Sequence, residues 1–260
     1  MTASLLLLNI FETHQIIKLL SSKLPKYAGT SNMAEPTFKP ALIIVDLQED
    51  FCPPNGSLAV PSGRDIITII NHLLTLPFAL KIATKDWHPA DHISFASSHP
   101  QKKPFADTVT VINPYNSAET YKSRLWPDHC IQDTPGAELV PELDVSKIDK
   151  VVEKGMRKEV EMYSAFYDPF TRPRVSDSGL ADMLRNAGIT HVYVVGLAFD
   201  YCVRATAEDA HREGFKTVIV REGTAAVDRD NWAHVDRELG SMNVNVVGLE
   251  GKEVQMVRNL

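Results

Sequence analysis

Three side chains that could do chemistry, an aspartate, a lysine and a cysteine, stand where apolar segments of the sequence end. Asp46 follows the run ALIIV, Lys154 ends the run VVEK, and Cys202 lies a few residues beyond HVYVVGL. A carboxylate can take the proton of a thiol and later pass it to a leaving group. A nearby ammonium and a helix N-terminus both favour the thiolate, which predicts a lowered thiol pKa. The three residue types together indicate nucleophilic catalysis by cysteine.

The stretch VVGLAFDYCVRATAEDA, residues 194–210, changes from a strand pattern to a helix pattern close to the cysteine. Backbone N–H groups in such a turn can point at a developing oxyanion, and here Ala198 and Cys202 would supply them. Each reactive residue also has an ordinary explanation when it is taken alone. Asp46 could cap the next segment, and Lys154 could be a solvated charge. A free cysteine is usually packed as a small hydrophobe.

A second group of side chains has the composition of a metal site. The motif DWHPADH supplies Asp86, His88 and His92, and the motif WPDHC supplies His129. One carboxylate with two or three imidazoles suits zinc, iron or manganese and leaves positions for water or substrate. The alternative is a set of surface histidines in a proline-rich loop, because the spacing of the first motif is only moderately specific.

Strand and helix patterns alternate from Pro40 onward and predict how these residues meet. Six apolar runs predict strands at 41–45, 80–84, 150–154, 191–197, 216–220 and 243–249. Helical spacing predicts helices at 63–74, 177–188, 202–214 and 230–242. The alternation is typical of an α/β fold, a three-layer doubly wound sheet of about six mainly parallel strands with helices on both faces. Ligands bind such sheets beyond the carboxyl ends of the strands, so the reactive residues are expected on one rim.

The domain organisation follows from composition along the chain. We expect residues 1–38 to form an N-terminal extension of flexible character, because they end in a segment rich in small and turn residues. Residues 39–260 are expected to form a single domain. Within it, an irregular excursion at about 87–148, rich in His, Pro, Ser and Asn, carries the metal motifs. So long an excursion in a compact domain is commonly functional.

Charge and cysteine content limit the classes of partner and compartment. The formal net charge of −6 argues against nucleic acid as a partner, and no apolar run is long enough to cross a bilayer. Three cysteines without a C-x-x-C pair argue against a disulfide framework and suit a reducing compartment. We therefore expect a cytoplasmic protein, with the nucleus or the peroxisome left open by the N-terminal extension. A homo-oligomer is compatible with the sequence.

Taken in order, these motifs resemble the nicotinamidase/pyrazinamidase branch of the isochorismatase-like cysteine hydrolases. The similar segments are ALIIVDLQEDFCPPNGSLAV, TKDWHPADHISFA, WPDHC, EKG and VVGLAFDYCVRATAEDA. The segment YSAF, residues 163–166, resembles the fungal type in particular. The similarity runs from about Ala41 to Gly248, and five motifs in order make it highly specific.

The resemblance implies hydrolysis of nicotinamide to nicotinate and ammonia through a cysteine thioester, in NAD salvage, with pyrazinamide as a second substrate. It implies that Cys202 attacks the carboxamide carbon and that Asp46 carries the proton. It also implies that Lys154 holds both groups in their working ionisation states. The oxyanion would lie on the N–H groups of Ala198 and Cys202, and a cis peptide bond is implied at Leu197–Ala198.

The resemblance further implies one divalent metal ion that binds the pyridine ring nitrogen. Zinc is the first choice, with iron or manganese as alternatives. The implied ligands are Asp86, His88 and His129, with His92 near the metal or its bound water. The implied pocket walls are aromatic and consist of Phe51, Trp126 and Tyr163.

Two other interpretations stay open at the level of sequence. Another amidase or carbamoyl hydrolase of the same superfamily would share Asp46, Lys154 and Cys202 but lack the metal histidines. A non-catalytic interaction protein that uses the fold as a scaffold would have lost at least one catalytic residue. Every catalytic and metal position of the family's pattern is filled here, which favours the enzyme with nicotinamide as its small-molecule partner.

Overall fold

A six-stranded parallel sheet is the centre of this computed structural model, which describes residues 37–260. Its strands are β1 (Pro40–Val45), β2 (Leu80–Asp86), β5 (Lys150–Lys154), β6 (His191–Leu197), β7 (Lys216–Ala225) and β8 (Asn245–Val247). Between β2 and β5 the chain forms a separate antiparallel hairpin of β3 (Thr108–Asn113) and β4 (Asn116–Arg124). The order across the sheet is β5-β2-β1-β6-β7-β8, with every neighbouring pair parallel.

Helices cover both faces of the sheet, which confirms the predicted three-layer fold class. They are α1 (Ile67–Leu74), α2 (Leu180–Asn186), α3 (Arg204–Arg212), α4 (Trp232–Ser241) and α5 (Lys252–Arg258). Successive side chains of a strand point to opposite faces. Leu42 and Ile44 of β1 belong to the core that contains residues of α1 and α5, whereas Ala41 and Ile43 belong to the core of α2, α3 and α4. Burial on both faces is the reason why β1 reads as a continuous apolar run.

The structure corrects several predicted element limits. The helix predicted at 63–74 begins at Ile67, and the helix predicted at 202–214 covers only Arg204–Arg212. A π-helical turn, Phe199–Val203, contains the cysteine and precedes α3. The excursion at 87–148 is less irregular than expected, because it contains the β3–β4 hairpin, whose many exposed residues left no apolar run to recognise. The short helix α5 was not predicted, because seven residues give little periodicity to read.

The ends of the described range limit two further expectations. The predicted extension, residues 1–38, lies outside the described residues except for its last two. The predicted division at residue 38 therefore stays a prediction. Between residues 37 and 260, no helix combines the length and the apolarity needed to span a membrane.

The close approach of β1 and β6 positions the turn that carries Cys202. These two strands are neighbours at the middle of the sheet, where the chain order reverses and ligands of doubly wound folds bind. Gly196 of β6 is paired with Val45 of β1 and has a φ of +107°. A Cβ atom at residue 196 would lie 2.0 Å from the carbonyl oxygen of Val45. Only glycine allows this contact, directly before the turn that carries Cys202.

We expect Gly196→Ala to lower the free energy of unfolding by about 3 kcal/mol or more, because a methyl group there meets backbone that cannot move aside. Gly214→Ala is the matched control, since residue 214 also has a positive φ but has open space around it. Its cost should stay at roughly 1–2 kcal/mol. Urea unfolding of both variants measures the difference, and equal costs would contradict the steric explanation.

Candidate active site

The ammonium group of Lys154 is the centre of a buried cluster at the ends of the strands. Its Nζ donates to Asp86 Oδ1 at 2.5 Å, to the carbonyl of Met162 at 3.2 Å and to the sulfur of Cys202 at 3.6 Å. Asp46 Oδ2 lies 3.0 Å from the same nitrogen. The side chains of Lys154, Asp46, Asp86 and Cys202 are all buried. The structure therefore brings together the three residues predicted to be catalytic.

Asp46 has one carboxylate oxygen that is satisfied and one that has free acceptor capacity. Its Oδ1 accepts a hydrogen bond of 2.6 Å from the hydroxyl of Thr84. Its Oδ2 is buried without a hydrogen-bond partner, although it lies within ion-pair distance of Lys154. A carboxylate oxygen of Asp46 lies within 4.8 Å of Cys202 Sγ. Asp46 is thus placed to accept the thiol proton.

The two carboxyl groups beside Lys154 differ in acidity. Burial raises the pKa of Asp46 from 3.8 to about 6, even though Lys154 acts in the opposite direction. Burial would also raise the pKa of Asp86, but the ammonium of Lys154 and the imidazole of His88 lower it far below its usual value. The pKa of Lys154 is raised well above its usual value, because the two carboxylates outweigh its own burial. At neutral pH Lys154 and Asp86 are charged, and Asp46 is poised to exchange a proton.

The acidity of the thiol differs from the prediction. Burial raises the pKa of Cys202 well above its usual value, and the ammonium of Lys154 offsets this effect only in part. The expected net lowering of the thiol pKa was therefore wrong, because sequence shows the neighbouring cation but not the loss of water. The resting sulfur keeps its proton, so a base is needed to make it a nucleophile. Asp46 is the carboxylate in the right place.

The carboxylate of Asp86 also belongs to a second cluster with His88 and His129. One ligand atom of each of the three residues lies within 4.8 Å of the others, and all three residues are buried. The Nδ1 atom of His88 lies 2.9 Å from the carbonyl of Gly155, and the Nδ1 atom of His129 lies 2.7 Å from the carbonyl of Pro127. If each Nδ1–H donates to its carbonyl, each Nε2 keeps its lone pair, which is the arrangement that metal-ligating histidines use.

The residues of this second cluster fit a divalent cation. His88 Nε2 is buried without a hydrogen-bond partner and lies 3.6 Å from Asp86 Oδ2. Burial, reinforced by the proximity of His88, lowers the pKa of His129 to about 4, so that this imidazole is neutral at pH 7. Gly155 has a φ of +67°, and a Cβ atom there would lie 2.4 Å from the ring of His88. The glycine after Lys154 thus leaves room for the imidazole that completes the site.

His92 lies beside this cluster and not in it. Its ring stacks on His88 with centroids 4.1 Å apart. Its Nδ1 is paired with the hydroxyl of Ser94 at 2.7 Å, and its Nε2 is 3.1 Å from the carbonyl of Val160. Both ring nitrogens are engaged by the protein. Of the two roles predicted for His92, a position near the metal site agrees with this geometry better than contact with metal-bound water.

A small pocket with aromatic walls opens onto both clusters. The predicted residues that line it are Phe51, Asp86, Trp126, His129, Tyr163, Ala198 and Cys202. Trp126 Nε1 donates to the hydroxyl of Tyr163 at 3.0 Å, which fixes the two rings relative to each other. The cis peptide bond expected at Leu197–Ala198 is present. Most of the residues that line the pocket are apolar or aromatic, as in sites for small molecules.

Five further residues of the pocket were missed by sequence reasoning, namely Leu58, Val60, Glu161, Tyr201 and Val227. Glu161 stands two residues before Tyr163, so a period of two could have indicated that both face the pocket. Tyr201 precedes the cysteine directly, and its ring packs edge-on against Trp126 with centroids 4.9 Å apart. The other three are apolar residues of loops, for which the sequence has no signal.

Comparison with known proteins identifies the family of this chain. The family model for the isochorismatase domain matches residues 40–250, and the chain belongs to this family. A nicotinamidase of Acinetobacter baylyi is 42% identical over 188 residues, which are 72% of this chain and 82% of that protein. The resemblance to the nicotinamidase branch that the motifs indicated is thereby confirmed.

Two solved structures extend the similarity to three dimensions. A yeast nicotinamidase bound to the inhibitor nicotinaldehyde is similar with a TM-score of 0.75 and 35% identity, over 80% of this chain and 99% of that chain. A pyrazinamidase of Pyrococcus horikoshii in complex with zinc is similar with a TM-score of 0.62 and 33% identity, over 81% of this chain and 99% of that one. The predicted isochorismatase-like architecture is confirmed by these neighbours.

We expect His129→Ala to weaken the binding of a divalent metal on the order of 100-fold or more, because it removes a ligand. His92→Gln should weaken it far less, since both nitrogens of His92 are already bound to protein groups. Isothermal titration of metal-free protein with Zn²⁺ measures both affinities. Equal losses in the two variants would place His92 in the metal site and contradict the assignment.

Proposed function

We propose that this chain is a nicotinamidase that hydrolyses nicotinamide to nicotinate and ammonia, and that it acts in NAD salvage. The observation that carries the proposal is an aromatic-walled pocket lined by a buried thiol and by two of the metal-ligating side chains, Asp86 and His129. The carboxylate of Asp46, with its unpartnered oxygen, lies directly behind that thiol. A flat aromatic amide suits such walls, and a thiol beside a base suits attack on its carboxamide. The nicotinamidases among the similar proteins support the same substrate.

The first half of the reaction forms a thioester. The sulfur of Cys202 attacks the carboxamide carbon while its proton passes to Asp46 Oδ2, the oxygen without a hydrogen-bond partner. The carbonyl oxygen becomes an oxyanion, for which the backbone N–H groups of Ala198 and Cys202 are the proposed donors. When the intermediate collapses, the C–N bond breaks, Asp46 returns the proton to the leaving nitrogen, and ammonia departs.

The second half of the reaction releases the acid. A water molecule gives a proton to Asp46 and attacks the thioester carbon, and the C–S bond breaks as the carboxylic acid forms. The sulfur of Cys202 recovers its proton from Asp46. Lys154 stays charged throughout, and its contact of 3.6 Å with the sulfur stabilises negative charge on that atom.

The metal would be held by Asp86, His88 and His129, for which the orphaned Nε2 of His88 is the structural support. Once bound, it supplies a Lewis-acidic partner for the ring nitrogen of the substrate and so orients the ring. We propose zinc, because one carboxylate and two imidazoles are common zinc ligands and a similar pyrazinamidase contains zinc. Iron and manganese accept the same ligands.

Another amidase or carbamoyl hydrolase of the superfamily is the second candidate. Such an enzyme needs the trio of Asp46, Lys154 and Cys202 but has no use for the metal ligands. Here one oxygen of Asp86 contacts the ammonium of Lys154 and the other lies near the ring of His88, so the catalytic cluster and the metal-ligand cluster share this residue. This sharing favours an amide whose ring carries a nitrogen, with pyrazinamide as a second substrate.

Ammonia release from nicotinamide tests the proposal directly. We expect activity in the unaltered protein, its loss on chelation of the metal, and its recovery when metal is added back. Cys202→Ala should lower the rate on the order of a thousandfold or more, because no other cysteine, serine or threonine among the described residues lines the pocket. Cys52→Ala is the matched control, since burial raises the pKa of that thiol to about 12 and Cys52 does not line the pocket.

Release of ammonia from other small amides or carbamoyl compounds, but not from nicotinamide, would contradict the proposed substrate and favour the second candidate. Retention of activity in Cys202→Ala would contradict the thioester route. Activity that is insensitive to chelation, at a measured metal content near zero, would remove the metal from the proposal.

The pH dependence of kcat/KM should follow the ionisation of Asp46. In the free enzyme Asp46 must be an ionised carboxylate, and burial raises the pKa of Asp46 to about 6. The value of kcat/KM should therefore rise with pH up to about 6 and fall about tenfold per pH unit below it. Protonation of His129 would set in only near its lower pKa of about 4. Metal content measured at each pH separates the two effects, and a flat profile between about pH 5 and about pH 7 would contradict the role of Asp46.

A further inference from the structure

The segment between Asp46 and Phe51 contains three polar side chains that the proposed reaction does not use, and one of them, Glu49, pairs with Arg64. Gln48 is completely buried, and Asp50 lies in the short 3-10 turn Glu49–Phe51. A buried polar side chain is costly unless its hydrogen bonds are made, so its partners indicate what it does. Each of the two residues has a partner in a chain segment that carries a metal ligand.

Gln48 holds the backbone of Asp86. Its Oε1 accepts a hydrogen bond of 2.8 Å from the N–H of Asp86, and its Nε2 donates to the carbonyl of the same residue at 2.8 Å. The same Nε2 donates to the carbonyl of Ala137, also at 2.8 Å. The backbone pairing of β1 with β2 ends at Ile44 and Ala83, three residues before Asp86. The side chain of Gln48 therefore supplies hydrogen bonds to β2 where the backbone of the first strand no longer does. Gln48 thereby fixes the position from which the Asp86 carboxylate extends.

Asp50 holds the loop that carries His129. Its Oδ2 accepts a hydrogen bond of 2.7 Å from the N–H of Cys130, the residue directly after that histidine. Cys130 has a φ of +47°, a conformation that non-glycine residues adopt only when neighbouring contacts hold it. The ring of His129 in turn packs against Phe51, with centroids 5.4 Å apart. The contact from Asp50 is thus a direct constraint on the backbone of a proposed ligand.

We propose that Gln48 and Asp50 are positioning residues that hold the proposed metal ligands Asp86 and His129 in register with the base Asp46. The three acidic and amide side chains stand at alternate positions of one short segment, so a single piece of chain sets the distance between the proton carrier and the metal site. The inference deepens the proposed function and rests on it. Groups that orient metal ligands in this way typically contribute 10- to 100-fold to metal affinity.

The test compares the metal affinity of Gln48→Met with that of Asn71→Leu. Asn71 is the matched control because its amide makes the same kind of clamp, donating to the carbonyl of Glu142 and accepting from the N–H of Asp144. The full chain is stripped of metal and titrated with Zn²⁺, and the absorption spectrum of the Co²⁺-loaded protein reports the ligand geometry. We expect Gln48→Met to weaken binding by roughly 10- to 100-fold and to change the Co²⁺ spectrum. Asn71→Leu should keep the Kd of the unaltered protein and its spectrum.

Asp50 provides a second series in case Gln48→Met does not fold. Asp50→Asn keeps an oxygen that can accept the N–H of Cys130, and it should retain most of the metal affinity. Asp50→Leu removes the acceptor, and its metal affinity should fall by roughly 10- to 100-fold. Asp168→Leu is the control, since Asp168 is a buried carboxylate that accepts backbone N–H groups of Phe170 and Val175 instead. Circular dichroism checks that each variant is folded.

Folded Gln48→Met or Asp50→Leu protein with an unchanged Kd for Zn²⁺ and an unchanged Co²⁺ spectrum would overturn the inference. Losses as large in Asn71→Leu and Asp168→Leu would also overturn it, because they would show a general effect of destabilisation. Ammonia release by the unaltered protein is measured separately. If that activity is absent while the metal affinities differ as expected, the proposed substrate fails and the positioning role stands.

Discussion

The whole arrangement depends on one buried charge, the ammonium of Lys154 between two carboxylates. Such a charge is tolerated in the interior only when it is paired and hydrogen-bonded, and removal of a partner usually costs about 3–5 kcal/mol. Lys154 meets this condition with Asp86, with the carbonyl of Met162 and with Asp46 close by. The same contacts place it 3.6 Å from the sulfur of Cys202. The hydrogen bonds that stabilise the buried ammonium of Lys154 therefore also hold it beside the sulfur of the nucleophile.

The two carboxylates beside the ammonium have different tasks because their surroundings differ. Asp86 has its second oxygen next to His88, so it is surrounded by positive and metal-binding groups and stays ionised. Asp46 accepts a hydrogen bond from the hydroxyl of Thr84 on one oxygen, and its other oxygen lies beside the ammonium of Lys154. Burial outweighs both contacts and raises the pKa of Asp46 to about 6. Asp86 joins the thiol cluster to the metal site, while Asp46 is left free to move a proton.

Parallel topology explains how one site can draw on so much of the chain. The carboxyl ends of β1, β2, β5 and β6 meet at one edge of the sheet, and each delivers one reactive group there. Loops then add what strands cannot supply, namely His129 and the aromatic walls. The segment after β1 connects both parts, since it contains Asp46, Gln48, Asp50 and Phe51 within six residues. Precision at the site thus comes from rigid strand ends braced by side-chain hydrogen bonds.

The sequence by itself determined the alternation of strands and helices, because burial on both faces imposes continuous apolar runs on parallel strands. It also determined which residues end those strands, and therefore the identity of the reactive side chains. Tertiary structure alone decided their chemical states. The thiol of Cys202 is more basic than its neighbouring cation suggested, because burial removes water, which no local pattern records. The clamp from Gln48 to Asp86 and the pocket positions of Glu161 and Val227 likewise exist only after distant segments meet. Residue types and order can be read along a chain, whereas desolvation and long-range hydrogen bonds depend on the packed interior.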